Sequence, residues 1–155
     1  MAQALHGKDS PQRTEETPRQ QADTSWKQIR FTTPLNPELF NSIAQREARR
    51  IGLCDDGRER NENKRTQLRR FYDELCMWEE KVSRQPEKFD DFLPFIRMMN
   101  AKAAYAEGRK PKLVDQNFVD LLQHTLAEVK DAKTMTTCKL FWEAFMGFYR
   151  QIRKD

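Results

Sequence analysis

This sequence is poor in the residues that build metal sites, disulfide frameworks and sheets. Its 155 residues include five glycines, three cysteines and two histidines. Cys54, Cys76 and Cys138 are odd in number and far apart, no C-x-x-C occurs, and neither His6 nor His124 stands near a cysteine. That pattern argues against a zinc site and predicts reduced thiols in a cytoplasmic protein. Alternating β-branched runs are nearly absent, which argues against a sheet protein. No apolar run approaches the roughly 18 residues that span a bilayer, and the N-terminus has no signal-peptide apolar core. No membrane partner is expected.

Catalytic patterns are missing as well. There is no G-x-x-x-x-G-K-[ST], no G-x-G-x-x-G and no H-E-x-x-H. The acidic pairs Glu79/Glu80 and Asp90/Asp91 are adjacent in sequence, so the two side chains of each pair do not share a helix face. With one histidine in the expected folded part, acid–base work would fall to an unusual carboxylate or lysine. The expectation is a protein that is not an enzyme and holds no cofactor or metal.

What the sequence does have is charge and helical periodicity. Charged residues are 34% and hydrophobic residues 37%, with a net charge of +4. Residues 1–25 are too polar to offset their chain entropy by burial and read as a disordered tail. Residues 26–155 then read as a single helical-bundle domain. Trp26, Ile29 and Phe31 suit a short clasp over the bundle. Asn36-Pro37 offers an N-cap and a first helical residue, and Gly52 a stop. Arg46, Arg49 and Arg50 read as that helix's solvated face.

A second helix is expected from Thr66, as its N-cap, to about Arg84. Leu68, Phe71, Tyr72 and Leu75 form one apolar face. A third stretch runs from Pro86 to Glu107 and is kinked or split by Pro94; Met98 and Met99 read as core filler. Asp115 caps a fourth helix carrying Phe118, Leu121, Leu122 and Leu126, with His124 as a surface or packing residue. The last helix runs from about Thr136 to Ile152. Its Arg150 and Arg153 suit the C-terminal dipole and need no functional explanation. Short connections make an all-α, compact five-helix bundle the natural architecture.

The positive charge is concentrated in two windows. Asn61 to Arg70 holds Lys64, Arg65, Arg69 and Arg70 against Glu62 alone; Lys102 to Lys112 holds Lys102, Arg109, Lys110 and Lys112 against Glu107 alone. The first window falls at a helix N-terminus, where the dipole favours anions and opposes cations. Cations, a hydroxyl and free N–H groups gathered there make either a phosphate-binding arrangement or a solvated basic turn paired with acids elsewhere. Tyr105, inside the second window, is either a stacking surface for a base or a half-buried tyrosine with its hydroxyl at the surface.

Three segments carry a family resemblance: NKRTQLRRFYDEL at 63–75, PFIRMMNAKAAYAEGR at 94–109 and FWEAFMGFYR at 141–150. Over about residues 35 to 153 the chain resembles the small subunit of type III-A CRISPR effector complexes. The resemblance implies a helical bundle stacked in several copies along a ribonucleoprotein of antiviral defence. Its basic face would line the groove holding guide RNA and target RNA, beside other subunits that do the cutting. Carried over by position, Lys64, Arg65, Arg69, Arg70, Lys102 and Arg109 would contact phosphates, with Lys110 from the same window. Arg97 is a weaker candidate, its side chain expected to stay within the bundle. Two other readings stand beside this one: a pure protein–protein assembly module, and a helical DNA-binding regulator, which the aromatic final helix disfavours.

Overall fold

The computed structural model describes residues 23–155. The expected tail therefore lies outside the described residues, apart from Asp23 to Ser25. Among the described residues the fold is all-α. Its helices are α1 (Ala44–Gly52), α2 (Arg65–Arg84), α3 (Phe89–Arg97), α4 (Met99–Gly108), α5 (Gln116–Ala127) and α6 (Ala132–Ile152). α3 and α4 are the two halves of the one interrupted stretch, so the five expected helical segments are present.

α6 is the spine. Phe141, Trp142, Phe145 and Tyr149 are buried on it, and their rings follow one another, Trp142 to Phe145 at 4.8 Å and Phe145 to Tyr149 at 5.1 Å. Each such side chain contributes about 1.5–3 kcal/mol by leaving water. α1 and α2 lie against α6, while α4 packs on α5. α2 buries Leu68, Leu75 and Val82.

The clasp forms as a 3-10 turn, Ser25–Gln28, with Ile29 and Phe31 buried behind it. His124 holds it: its Nε2–H donates to the Ile29 carbonyl (2.8 Å), and Trp26 meets the imidazole edge-on at 5.6 Å. The histidine is a packing residue.

Several local expectations are corrected. Asn36 accepts from the Glu38 N–H, but it caps only a wide π-type turn, Leu39–Ile43. Glu38 binds both the N–H and the hydroxyl of Ser42 and so competes with regular helix; Asn41 leaves helical geometry at φ −121, ψ −107. Arg50 is not solvated. Its side chain is 10% exposed and its Nε donates to the fully buried Glu47 (3.0 Å), whose carboxyl burial pushes above its usual range. The break expected at Pro94 falls at Met98; Pro94 and Asp90 are on the exposed side, where water can serve the carbonyl that proline leaves without a donor. Met99 is buried, but Met98 is 48% exposed.

The caps of the last two helices account for their starts. Asp115 accepts from the Phe118 N–H (3.1 Å), as expected. α6 begins four residues earlier than its apolar stripe suggests, because Asp131 and Thr134 form a capping box. The Thr134 N–H holds the Asp131 carboxyl below the usual carboxylate range.

Gly52 ends α1, but for a packing reason. A Cβ there would stand 3.0 Å from Tyr149 Cε2 and 3.4 Å from Arg153 Cδ. Tyr149 cannot give way freely, since Phe145 stacks on its ring and its hydroxyl donates to the Asn63 carbonyl. Gly52→Ala is expected to lower stability by about 1–3 kcal/mol, the usual cost of overpacking, read as a shifted urea midpoint. An unchanged midpoint would mean that α1 and α6 can separate at no cost.

Candidate nucleic-acid interface

The start of α2 is fixed from behind by Asn63, a fully buried residue with φ 59. Its Nδ2 donates to the Ile51 carbonyl at the end of α1 (3.0 Å), and its Oδ1 accepts from the Asp115 N–H at the cap of α5 (2.9 Å). Its own N–H donates to the Leu113 carbonyl (3.0 Å), and its carbonyl accepts from the Tyr149 hydroxyl. One asparagine therefore locks α1, α5 and α6 to the residue from which the basic helix departs. Asparagine tolerates the left-handed region better than other side-chain-bearing residues, which suits it to this corner.

Arg153 reinforces the corner. It lies past the end of α6, is buried, and donates to the Glu62 carbonyl (2.9 Å) and, bidentately, to Asp155 (2.9 Å each). Burial raises the Asp155 carboxyl, but Arg153 and the Arg65 backbone N–H more than offset it and hold it below its usual range. A carboxylate thus already stands at the α2 N-terminus.

Thr66 does not cap the helix. Lys64 occupies the N-cap position without a side-chain cap bond, and the first turn holds no acid. The Lys64 carbonyl accepts from the Gln67 and Leu68 N–H groups, so α2 starts two residues before the expected cap.

From this start the arginines diverge around α2. Arg65, Thr66, Arg69 and Arg70 line an open groove of about 430 Å³ whose far wall is Met146 and Arg150 of α6. Arg150 was expected to serve only the helix dipole; it is the residue that sequence reasoning missed. Its signal lay in the segment FWEAFMGFYR, which ends on it. Among the described residues Arg65, Arg70 and Arg150 have no carboxylate partner. Arg69 pairs with Asp73 (2.9 Å), with both side chains more than half exposed, and its guanidinium lies 5.9 Å from the Tyr72 ring centre. Exposed pairs of this kind are worth at most about 1 kcal/mol, so Arg69 can exchange its partner.

A second groove of about 260 Å³ lies on the other flank of α2, lined by Gln67, Arg70, Phe71, Glu74, Lys102 and Ala106. Arg70 belongs to both grooves and so links Lys102 to the arginine cluster. Lys102 is bonded to Glu74. Arg109 and Lys110 are exposed but line neither groove. They sit on their own turn with Lys112, whose ammonium is tied to Glu107. Lys64 is exposed ahead of the first groove, outside its lining. Arg97 is exposed rather than held within the bundle, and Tyr105 is 73% exposed rather than half-buried.

The arrangement can hold polyanionic backbone. Nothing in it offers nucleophilic chemistry: Cys138 is buried and burial pushes its thiol up, the character of a packing cysteine. Among the described residues no three His, Cys, Asp or Glu side chains gather as a metal site, and no helix is long and apolar enough to cross a membrane.

Comparison with known proteins bears on what such a groove serves. No curated protein and no solved structure matches the chain. A family model described as Csm2 Type III-A matches residues 40–155, which takes in all six helices and both grooves. The chain belongs to the Csm2 family, the small subunit of type III-A CRISPR effector complexes.

Proposed function

We propose that this chain is a non-catalytic, sequence-independent RNA-contacting subunit. It stacks in several copies within the cytoplasmic effector particle of an antiviral defence system and meets guide RNA or target strand through the face of α2 and α6. The observation that carries this reading is the convergence of Arg65, Arg69, Arg70 and Arg150 on one open groove. Four guanidiniums without a matching set of carboxylates repel one another unless an anion lies among them. Contact with backbone alone suits a particle whose sequence information resides in its guide.

The experiment is a salt titration of single-stranded RNA binding by the full chain. Log affinity is expected to fall linearly with log salt, with a slope of about 0.7 per neutralised phosphate. Binding that ignores salt would sink the reading. Isolated copies are expected to bind weakly, because avidity comes from linking several sites.

One observation favours a second reading, an assembly module that touches no nucleic acid. Phe95 and Met98 are 53% and 48% exposed on adjoining turns of α3 and its junction with α4, an apolar face suited to a protein neighbour. Charge reversal in the groove separates the two. Lost assembly in the absence of RNA would favour the module; normal assembly with lost RNA binding would favour the groove.

A further inference from the structure

We propose that Tyr105 is a stacking platform for an unpaired base of the strand whose phosphates occupy the arginine groove. The inference rests on the nucleic-acid reading of that groove and adds to it a preference for single strands.

Tyr105 is 73% exposed, more than any other large hydrophobic side chain described. Phe95, by contrast, spends one ring face on Trp78, the two rings 5.9 Å apart and 19° from parallel. The Tyr105 ring stands in solvent between two cations of its own helix end. Lys102 is three residues before it, and Arg109 four residues after it, where the backbone turns extended at φ −71, ψ 159. At 3.6 residues per turn, Tyr105 lies about 60° round α4 from Lys102. α4 has buried its small side chains, Ala103 and Ala106, against the body, and Lys102 lines the second groove with Arg70. A backbone passing Arg150 and Arg70 reaches Lys102, and the next surface it meets is the phenol.

The chemistry fits a base better than a protein side chain. A protein contact at this point would have to desolvate two cations beside the ring. A nucleotide presents phosphates to the cations and a π face to the ring together. Every base has such a face, so stacking adds affinity without reading sequence. It does require that the base be out of a duplex, which phosphate contacts do not.

The test uses the full chain, its Tyr105→Ala and Tyr105→Phe variants, and three fluorescent probes: a short oligouridylate, an RNA duplex of equal length and an abasic backbone of equal length. Tyr105→Ala is expected to weaken oligouridylate binding about 5-fold or more and Tyr105→Phe less than about 2-fold. Neither should alter the salt slope or binding of the abasic and duplex probes. The proposal is overturned if Tyr105→Ala binds oligouridylate like the parent, or loses as much on the abasic probe. It is equally overturned if that variant changes only self-association, which would assign the ring to a protein contact. If the parent shows no salt-dependent binding to any probe, the groove reading itself has failed and the stacking inference goes with it.

Discussion

Reversing charge at Arg70 and Arg150 together is expected to weaken single-stranded RNA binding about 100-fold, since each lost charge-assisted contact is worth about 1.5–3 kcal/mol. The two residues come from different helices yet share one groove, so a strand seated there loses contacts on both walls. The salt slope should fall by roughly 0.7 for each phosphate no longer neutralised. Both side chains are exposed, and exposed substitutions usually shift stability by less than about 0.5 kcal/mol. Melting should therefore be nearly unchanged, which separates a binding defect from a folding one. Equal affinity and slope in parent and variant would remove the groove as the binding site. Arg109→Glu serves as the comparison. Its side chain sits on a separate turn, so its effect should be a fraction of that of the pair.

Asn63→Ala is expected to destabilise the protein by about 3–5 kcal/mol. The substitution strands the Ile51 carbonyl and the Asp115 N–H, each worth about 1–3 kcal/mol when buried and unpaired. It also places alanine at φ 59, which costs a further 1–2 kcal/mol or so. Asn63→Gly keeps the backbone comfortable and loses only the side-chain bonds, so it should be milder by about 1 kcal/mol. Urea unfolding of the two variants reads the difference. An alanine variant within about 0.5 kcal/mol of the parent would show that the corner does not hold the helices together. RNA affinity should fall alongside stability in the alanine variant, because the same corner aims the first turn of α2.

The two experiments probe one design from opposite sides. The arginines are exposed and cheap to change in folding terms; the asparagine beneath them is buried and expensive. Periodicity placed the first kind well. Arg65, Arg69 and Arg70 follow the polar side of a helix whose apolar side is Leu68, Phe71 and Leu75, and that alternation is local. Asn63 stands at the head of the same stretch, but its four bonds go to residues as distant as Ile51, Leu113, Asp115 and Tyr149. No local pattern announces such a node.

The same division explains the smaller corrections. Thr66 has the right residue type for an N-cap, yet the chain enters the helix from a corner set by Asn63, and the cap position falls on Lys64. Gly52 reads as a stop from sequence; the ring of Tyr149 pressed against it supplies the reason. Arg50 reads as solvated until Glu47 is seen to be buried beside it.

By itself the sequence determined the helical class, the approximate helix limits, the apolar faces and the two basic windows, because each follows from spacing within a few residues. Only the tertiary structure decided which cations share a surface. Arg150 joined the cluster, Lys102 was linked to it through Arg70, and Arg109 and Lys110 were set apart. That outcome depends on how α2 lies between α6 and α4, and the packing that sets it comes from side chains far apart along the chain, where no period in the sequence can reach.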